Sequence, residues 1–145
     1  MYIKSLSILL MLFSGYIANA QSEIIGKWKN EESGSIIEIY KQNSLFFGKI
    51  IKVSGNEDRE KAGHLLLDKL TYCKETGTYT GIVNSTNGMT AECELKLKNQ
   101  NTFQMTVTKL FIKKTQAFIR TELYEILYNN INSNITVFSN CERTG

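Results

Sequence analysis

The sequence predicts an all-β fold: an eight-stranded, up-and-down antiparallel barrel followed by a C-terminal tail. Three observations carry that expectation. Apolar and polar residues alternate with period two along several segments, which one-sided burial of a strand requires. Short clusters of Asn, Gly and Ser punctuate the chain at regular intervals, although it contains no proline. No segment of the core shows helical periodicity, and no internal repeat or low-complexity run is present.

The alternation is cleanest over residues 89–98. Met89, Ala91, Cys93, Leu95 and Leu97 form one face, and Thr90, Glu92, Glu94, Lys96 and Lys98 the other. Residues 102–108 repeat it, with Phe103, Met105 and Val107 opposite Thr102, Gln104, Thr106 and Thr108. The expected strands are 24–30, 35–41, 45–53, 66–74, 78–83, 89–98, 102–110 and 114–121. The long break at 54–63 is charged and suits a short helix or an exposed loop. A meander of this kind removes its edges by closing into a barrel; a β-sandwich and a shorter Greek-key barrel are the alternatives. An eight-stranded barrel holds packed side chains or one small ligand.

Both ends of the chain read differently. Residues 1–20 have the pattern of a secretory signal peptide: Lys4, an apolar run over 6–13, then Ala18-Asn19-Ala20. The apolar run is shorter than the roughly 20 residues that span a bilayer. The expected organisation is therefore a leader over 1–20, a barrel over 21–121 and an extension over 122–145. The exported protein would be periplasmic or secreted. In the tail, Leu123, Ile126 and Leu127 would share a helix face, whereas 135–139 reads as a strand; a loosely packed appendage is the expectation.

Composition excludes several functions. With 17 Lys and Arg against 14 Asp and Glu, the formal charge is +3, too small and too dispersed for a nucleic-acid binder. One histidine, His64, and no Cys-x-x-C leave little for metal or redox chemistry, so no metal or other cofactor is expected. No nucleophile motif or phosphate-binding glycine loop is present, so no catalytic residue and no enzyme activity are expected. His64 reads as a solvated loop residue. Glu92 and Glu94 could mimic a carboxylate pair, but they share a charged face with Lys96 and Lys98 and read as solvated. Lys113 and Lys114 read as a turn. Cys73 and Cys93 read as inert core thiols, too far apart across an intervening strand to bridge; Cys141 would be exposed.

Two features bear on function. Gly26-Lys27-Trp28 opens the first strand and Arg120 ends the last, so closure would bring a guanidinium over an indole. The presumed inner face contains Ile39, Phe47, Met89, Ala91, Cys93, Met105 and Val107. Its soft, small side chains suit a lumen for a small apolar or amphipathic molecule, and equally a filled core. The corresponding functions are a non-enzymatic binding protein and an envelope structural or protein-interaction module whose partner is not specified.

A Gly-x-Trp on the first strand with a basic residue on the last resembles the lipocalin-like (calycin) barrels. The chain more closely resembles a family of small exported bacterial proteins designated domain of unknown function 2147. The resemblance runs from about Ile24 to Arg120. It rests on Ile25-Gly26-Lys27-Trp28, on Ile37-Glu38-Ile39-Tyr40-Lys41 leading into Phe47-Gly48-Lys49-Ile50-Ile51, and on Asn87-Gly88 before Cys93-Glu94-Leu95-Lys96-Leu97. It ends with Lys114-Thr115-Gln116-Ala117-Phe118-Ile119-Arg120. The chain departs from the family pattern at Val83-Asn84-Ser85 and at Thr108-Lys109, and its tail is longer. The resemblance implies a lipocalin-like barrel and export, and no established reaction.

Overall fold

A computed structural model describes residues 22–54 and 61–122, together with 124, 128 and 131. Eight strands follow in order: β1 Gly26–Asn30, β2 Ile36–Gln42, β3 Leu45–Lys52, β4 Leu65–Cys73, β5 Thr78–Asn84, β6 Thr90–Asn99, β7 Thr102–Lys109 and β8 Ile112–Arg120. Each pairs antiparallel with the next, and β1 pairs with β8, so the sheet closes into a barrel. Closure excludes the open sandwich, and the strictly sequential strand order excludes the Greek key. The expected leader at 1–20, residues 55–60 of the charged loop, the strand expected at 135–139 and Cys141 lie outside the described residues. Thr121, Glu122, Tyr124, Tyr128 and Ile131 are helical.

Period-two burial organises the interior. On β6, Cys93 and Leu95 are buried while Thr90, Glu92, Glu94, Lys96 and Lys98 are exposed. Met89 departs from the expected register: it precedes β6 and is 51% exposed, because the strand begins one residue later, after a turn in which Ser85 N donates to the Met89 carbonyl. On β3 the buried positions are Phe46, Gly48 and Ile50. Phe47, expected in the lumen, therefore points outward and stacks on Tyr40 with ring centroids 5.9 Å apart. Only one of two consecutive phenylalanines can face inward, and the register places Gly48 against Leu67, where a Cβ would approach within 2.8 Å of Leu67 Cδ1.

Two local departures from regularity matter. In β4 a bulge places Lys69 at φ 52°, so that Leu67 and Leu70, three residues apart, are both buried. The β7–β8 turn consists of Leu110 and Phe111; the Lys113-Lys114 pair, expected to make a turn, instead lies within β8, which begins at Ile112, two residues before the expected start at 114. Neither Gly nor Asn marks that turn, so nothing in its composition signals it.

In an up-and-down barrel, successive connections alternate between the two ends. One end carries the β2–β3, β4–β5 and β6–β7 turns, the start of β1 and the end of β8. This end is filled. Trp28, Phe46, Tyr79 and Phe103 are fully buried, with edge contacts between Trp28 and Phe103 at 4.8 Å and between Phe46 and Tyr79 at 5.2 Å. Phe103 stacks on Phe118 at 4.6 Å. Trp28 Nε1 donates to the Ile24 carbonyl at 2.8 Å, which satisfies the one polar atom of a buried indole.

Arg120 fastens this end. Its guanidinium lies 4.1 Å from the Trp28 ring centroid, an interaction worth about 0.5–2 kcal/mol. Nε donates to Gln100 O at 2.9 Å, Nη1 to Ile25 O at 3.1 Å and Nη2 to Glu23 O at 2.8 Å. One side chain thus ties the end of β8 to the β6–β7 turn and to the segment entering β1. Gly26 makes room for it: φ is 138°, and a Cβ there would lie 2.6 Å from Arg120 Nη1.

Candidate functional site

The other end carries the β1–β2, β3–β4, β5–β6 and β7–β8 connections, and here the barrel is not filled. A cavity of about 320 Å³ opens between them. The difference between the ends follows from side-chain size. The inward positions of the closed half hold Trp28, Phe46, Tyr79 and Phe103, whereas those toward the open end include Ala91, Met105 and Val107.

The cavity wall is apolar, with Ile37 from β2, Ile50 from β3, Val83 from β5, Ala91 from β6, Met105 and Val107 from β7, and Phe118 from β8. Polar residues complete the lining: buried Asn30 and Ser35, together with Gln116, and Asn84, Thr90 and Lys109 toward the strand ends at the mouth. Several of these groups are already committed to the scaffold. Asn30 Oδ1 accepts from Glu32 N at 2.8 Å and Ser33 N at 2.9 Å, shaping the β1–β2 turn. Asn84 Nδ2 donates to Leu65 O at 3.3 Å. Gln116 Nε2 donates to Glu32 Oε2 at 3.3 Å, and Lys114 Nζ to Glu32 Oε1 at 3.1 Å. Those two donors, Lys114 first, hold the Glu32 carboxyl below its usual range. Lys109 Nζ leans across the rim to Met89 Sδ at 3.2 Å.

His64 is not the free loop residue expected. It is half-buried, and its Nε2 donates to the Asn84 carbonyl at 2.9 Å. Its own carbonyl accepts from Ile50 N at 3.0 Å. It therefore pins the β3–β4 connection beside the cavity mouth to the end of β5.

The seven expected lumen residues separate into groups. Ala91, Met105 and Val107 line the cavity, and Met89 stands at its rim. Ile39 and Cys93 lie in the packed core, and Phe47 is on the outer surface. Gly26, Trp28 and Arg120 meet at the opposite end and do not line the cavity. Ile37, Ile50, Lys109, Gln116 and Phe118 also line the cavity and are not among the residues expected there. Ile37 lies two residues before Ile39, and Lys109 two after Val107, so extending the same period-two register would have found both.

Burial pushes the Cys93 thiol up to about 12 against an opposing hydrogen bond from the Gly81 backbone. The thiol is therefore protonated at neutral pH and unsuited to nucleophilic chemistry. Cys73 is half-buried, with its Sγ 3.3 Å from Glu75 Oε2; both cysteines are free thiols. Among the described residues, no three His, Cys, Asp or Glu side chains converge as a metal site. No helix among them is long and apolar enough to cross a membrane.

Neither the curated proteins nor the solved structures include one that matches the chain. Residues 26–120, from the first residue of β1 to the last of β8, match the family described as "Uncharacterized protein conserved in bacteria (DUF2147)", and the chain belongs to that family.

Proposed function

We propose that the barrel is a non-enzymatic binding protein of the bacterial envelope or exterior, holding one small apolar or amphipathic molecule in the cavity at its open end. The observation that carries this reading is the cavity itself: about 320 Å³, within the range of small-molecule sites, with an apolar wall and a polar rim. Burying about 200 Å² of apolar ligand surface at about 25 cal/mol per Å² gives about 5 kcal/mol, equivalent to a Kd on the order of 0.1 mM. Polar contacts at the rim would add to it. Lys109, at the mouth, favours an amphipathic ligand with an anionic head group. The exported location rests on the leader pattern at 1–20.

The test is native mass spectrometry of the protein purified from its own cell envelope, beside an Ala91→Trp variant that fills the cavity. The expected result is an extra mass of a few hundred daltons, roughly the size such a cavity admits, released on denaturation and missing from the variant. A parent that carries no adduct and binds no fluorescent lipid analogue would sink the reading.

A further inference from the structure

The β7–β8 turn has properties opposite to those of an ordinary hairpin tip. Leu110, Phe111 and Ile112 are 86%, 102% and 75% exposed. Soluble domains place polar residues at such tips, and the β1–β2 and β5–β6 connections at the same end do so with Ser33-Gly34 and Asn87-Gly88. Leu110 also adopts φ 56°, a left-handed conformation that favours Gly or Asn; in the β2–β3 turn the same φ is taken by Asn43. A leucine here strains the backbone and exposes an apolar side chain, so the local fold gains nothing from it.

The charges beside the tip are ordered. Lys109 precedes the three apolar residues, and Lys113 and Lys114 follow them. Lys114 is engaged with Glu32; among the described residues Lys109 and Lys113 carry no ion pair. Among the described residues, the acidic groups near the tip are Glu92 of β6, whose register partner on β7 is Thr108, and Glu31 and Glu32 of the β1–β2 turn. The tip lies at the end where the cavity opens, and Lys109 links it to the exposed Met89.

Apolar side chains at the extremity with ammonium groups one step behind them reproduce the layering of a bilayer surface, acyl chains beneath a plane of phosphates. Long lysine side chains suit that boundary because their stems are apolar and their heads charged. We propose that the β7–β8 hairpin docks the open end of the barrel onto an anionic phospholipid bilayer. Leu110, Phe111 and Ile112 enter the acyl region, and Lys109 and Lys113 meet the phosphates. The cavity mouth then faces the lipid. Three apolar residues make a reversible contact rather than an anchor.

Two variants of the full chain test this with vesicles of phosphatidylcholine, with and without phosphatidylglycerol. Phe111→Trp places a reporter at the tip, read as a difference from the parent because Trp28 is buried. Its emission should shift to the blue on phosphatidylglycerol vesicles, be quenched by bromine on the acyl chains, and respond less on phosphatidylcholine alone or in high salt. Replacing both turn residues, L110N with F111G, supplies the residues a tight hairpin prefers. It should weaken vesicle binding about tenfold or more, while the melting temperature holds or rises. A tip tryptophan that stays wet among vesicles would overturn the proposal. So would unchanged vesicle binding by the double variant, or a dimer of the parent that the double variant dissolves, since the tip would then be a contact between copies.

Discussion

Trp28 and Arg120 are register partners across the seam between β1 and β8, and the guanidinium lies over the indole at 4.1 Å. The plane of the guanidinium serves two purposes at once: its face covers the ring, and its edge donates to three carbonyls. A lysine can do neither fully.

Arg120→Lys should accordingly destabilise nearly as much as Arg120→Ala, by about 2–4 kcal/mol. Trp28→Phe should cost about 1–3 kcal/mol through lost packing and the lost bond to Ile24 O. Thermal melts of the three variants check this. A lysine variant that melts like the parent would show that the seam draws its strength from elsewhere.

Leu95 and Glu94 are neighbours on opposite faces of β6, one buried and one exposed. Leu95→Ala should lose about 2–5 kcal/mol, and Glu94→Ala should fall within about 0.5 kcal/mol of the parent. Denaturant midpoints of the two variants separate the faces; equal losses would contradict the register.

Gly81 sits under the β4 bulge. A Cβ there would stand 2.8 Å from Asp68 O and 3.0 Å from Leu70 Cα, and backbone cannot move aside as a side-chain tip can. Gly81→Ala should cost about 1–3 kcal/mol. A neutral result in urea denaturation would mean that the bulge relaxes freely.

Burial raises Cys93 and Tyr79 to about 12 each. Unfolding restores both to their ordinary ranges, near 8.5 and 10, so above those values the unfolded chain binds fewer protons than the folded one. These two groups should leave stability unchanged below about pH 8 and lower it as pH rises toward 12. Urea midpoints between about pH 8 and pH 11 measure the decline, and Cys93→Ala should flatten its first part. In native protein a thiol reagent should modify Cys73 and spare Cys93 until unfolding, as peptide mapping would show.

The barrel was legible because burial is one-sided. Wherever a strand has a wet face and a dry face, the sequence must alternate, and β6 and β7 alternate almost without exception. Legibility failed where both faces are apolar. Phe46 and Phe47 are indistinguishable in isolation, and their assignment depends on Leu67 occupying the space opposite Gly48, a contact between strands. The bulge at Lys69 was hidden for the same reason, since three-residue spacing of Leu67 and Leu70 has no strand signature. At the candidate site, the small residues of β6 and β7 could be read from the alternation. The cavity could not, because an empty volume depends on how far opposing side chains reach.

The seam has a consequence for how the chain becomes a barrel. Seven of the strand pairings join consecutive strands and can form as hairpins; the pairing of β1 with β8 alone spans the domain. Until the last strand arrives, the free edge of β1 keeps unpaired backbone groups on offer to any other extended chain. Of the eight pairings, the seam closes the longest stretch of chain and so carries the largest loop-closure cost. A chain cut before Ile112 would complete most of its hairpins and still present two open edges, making self-association rather than simple unfolding its mode of failure.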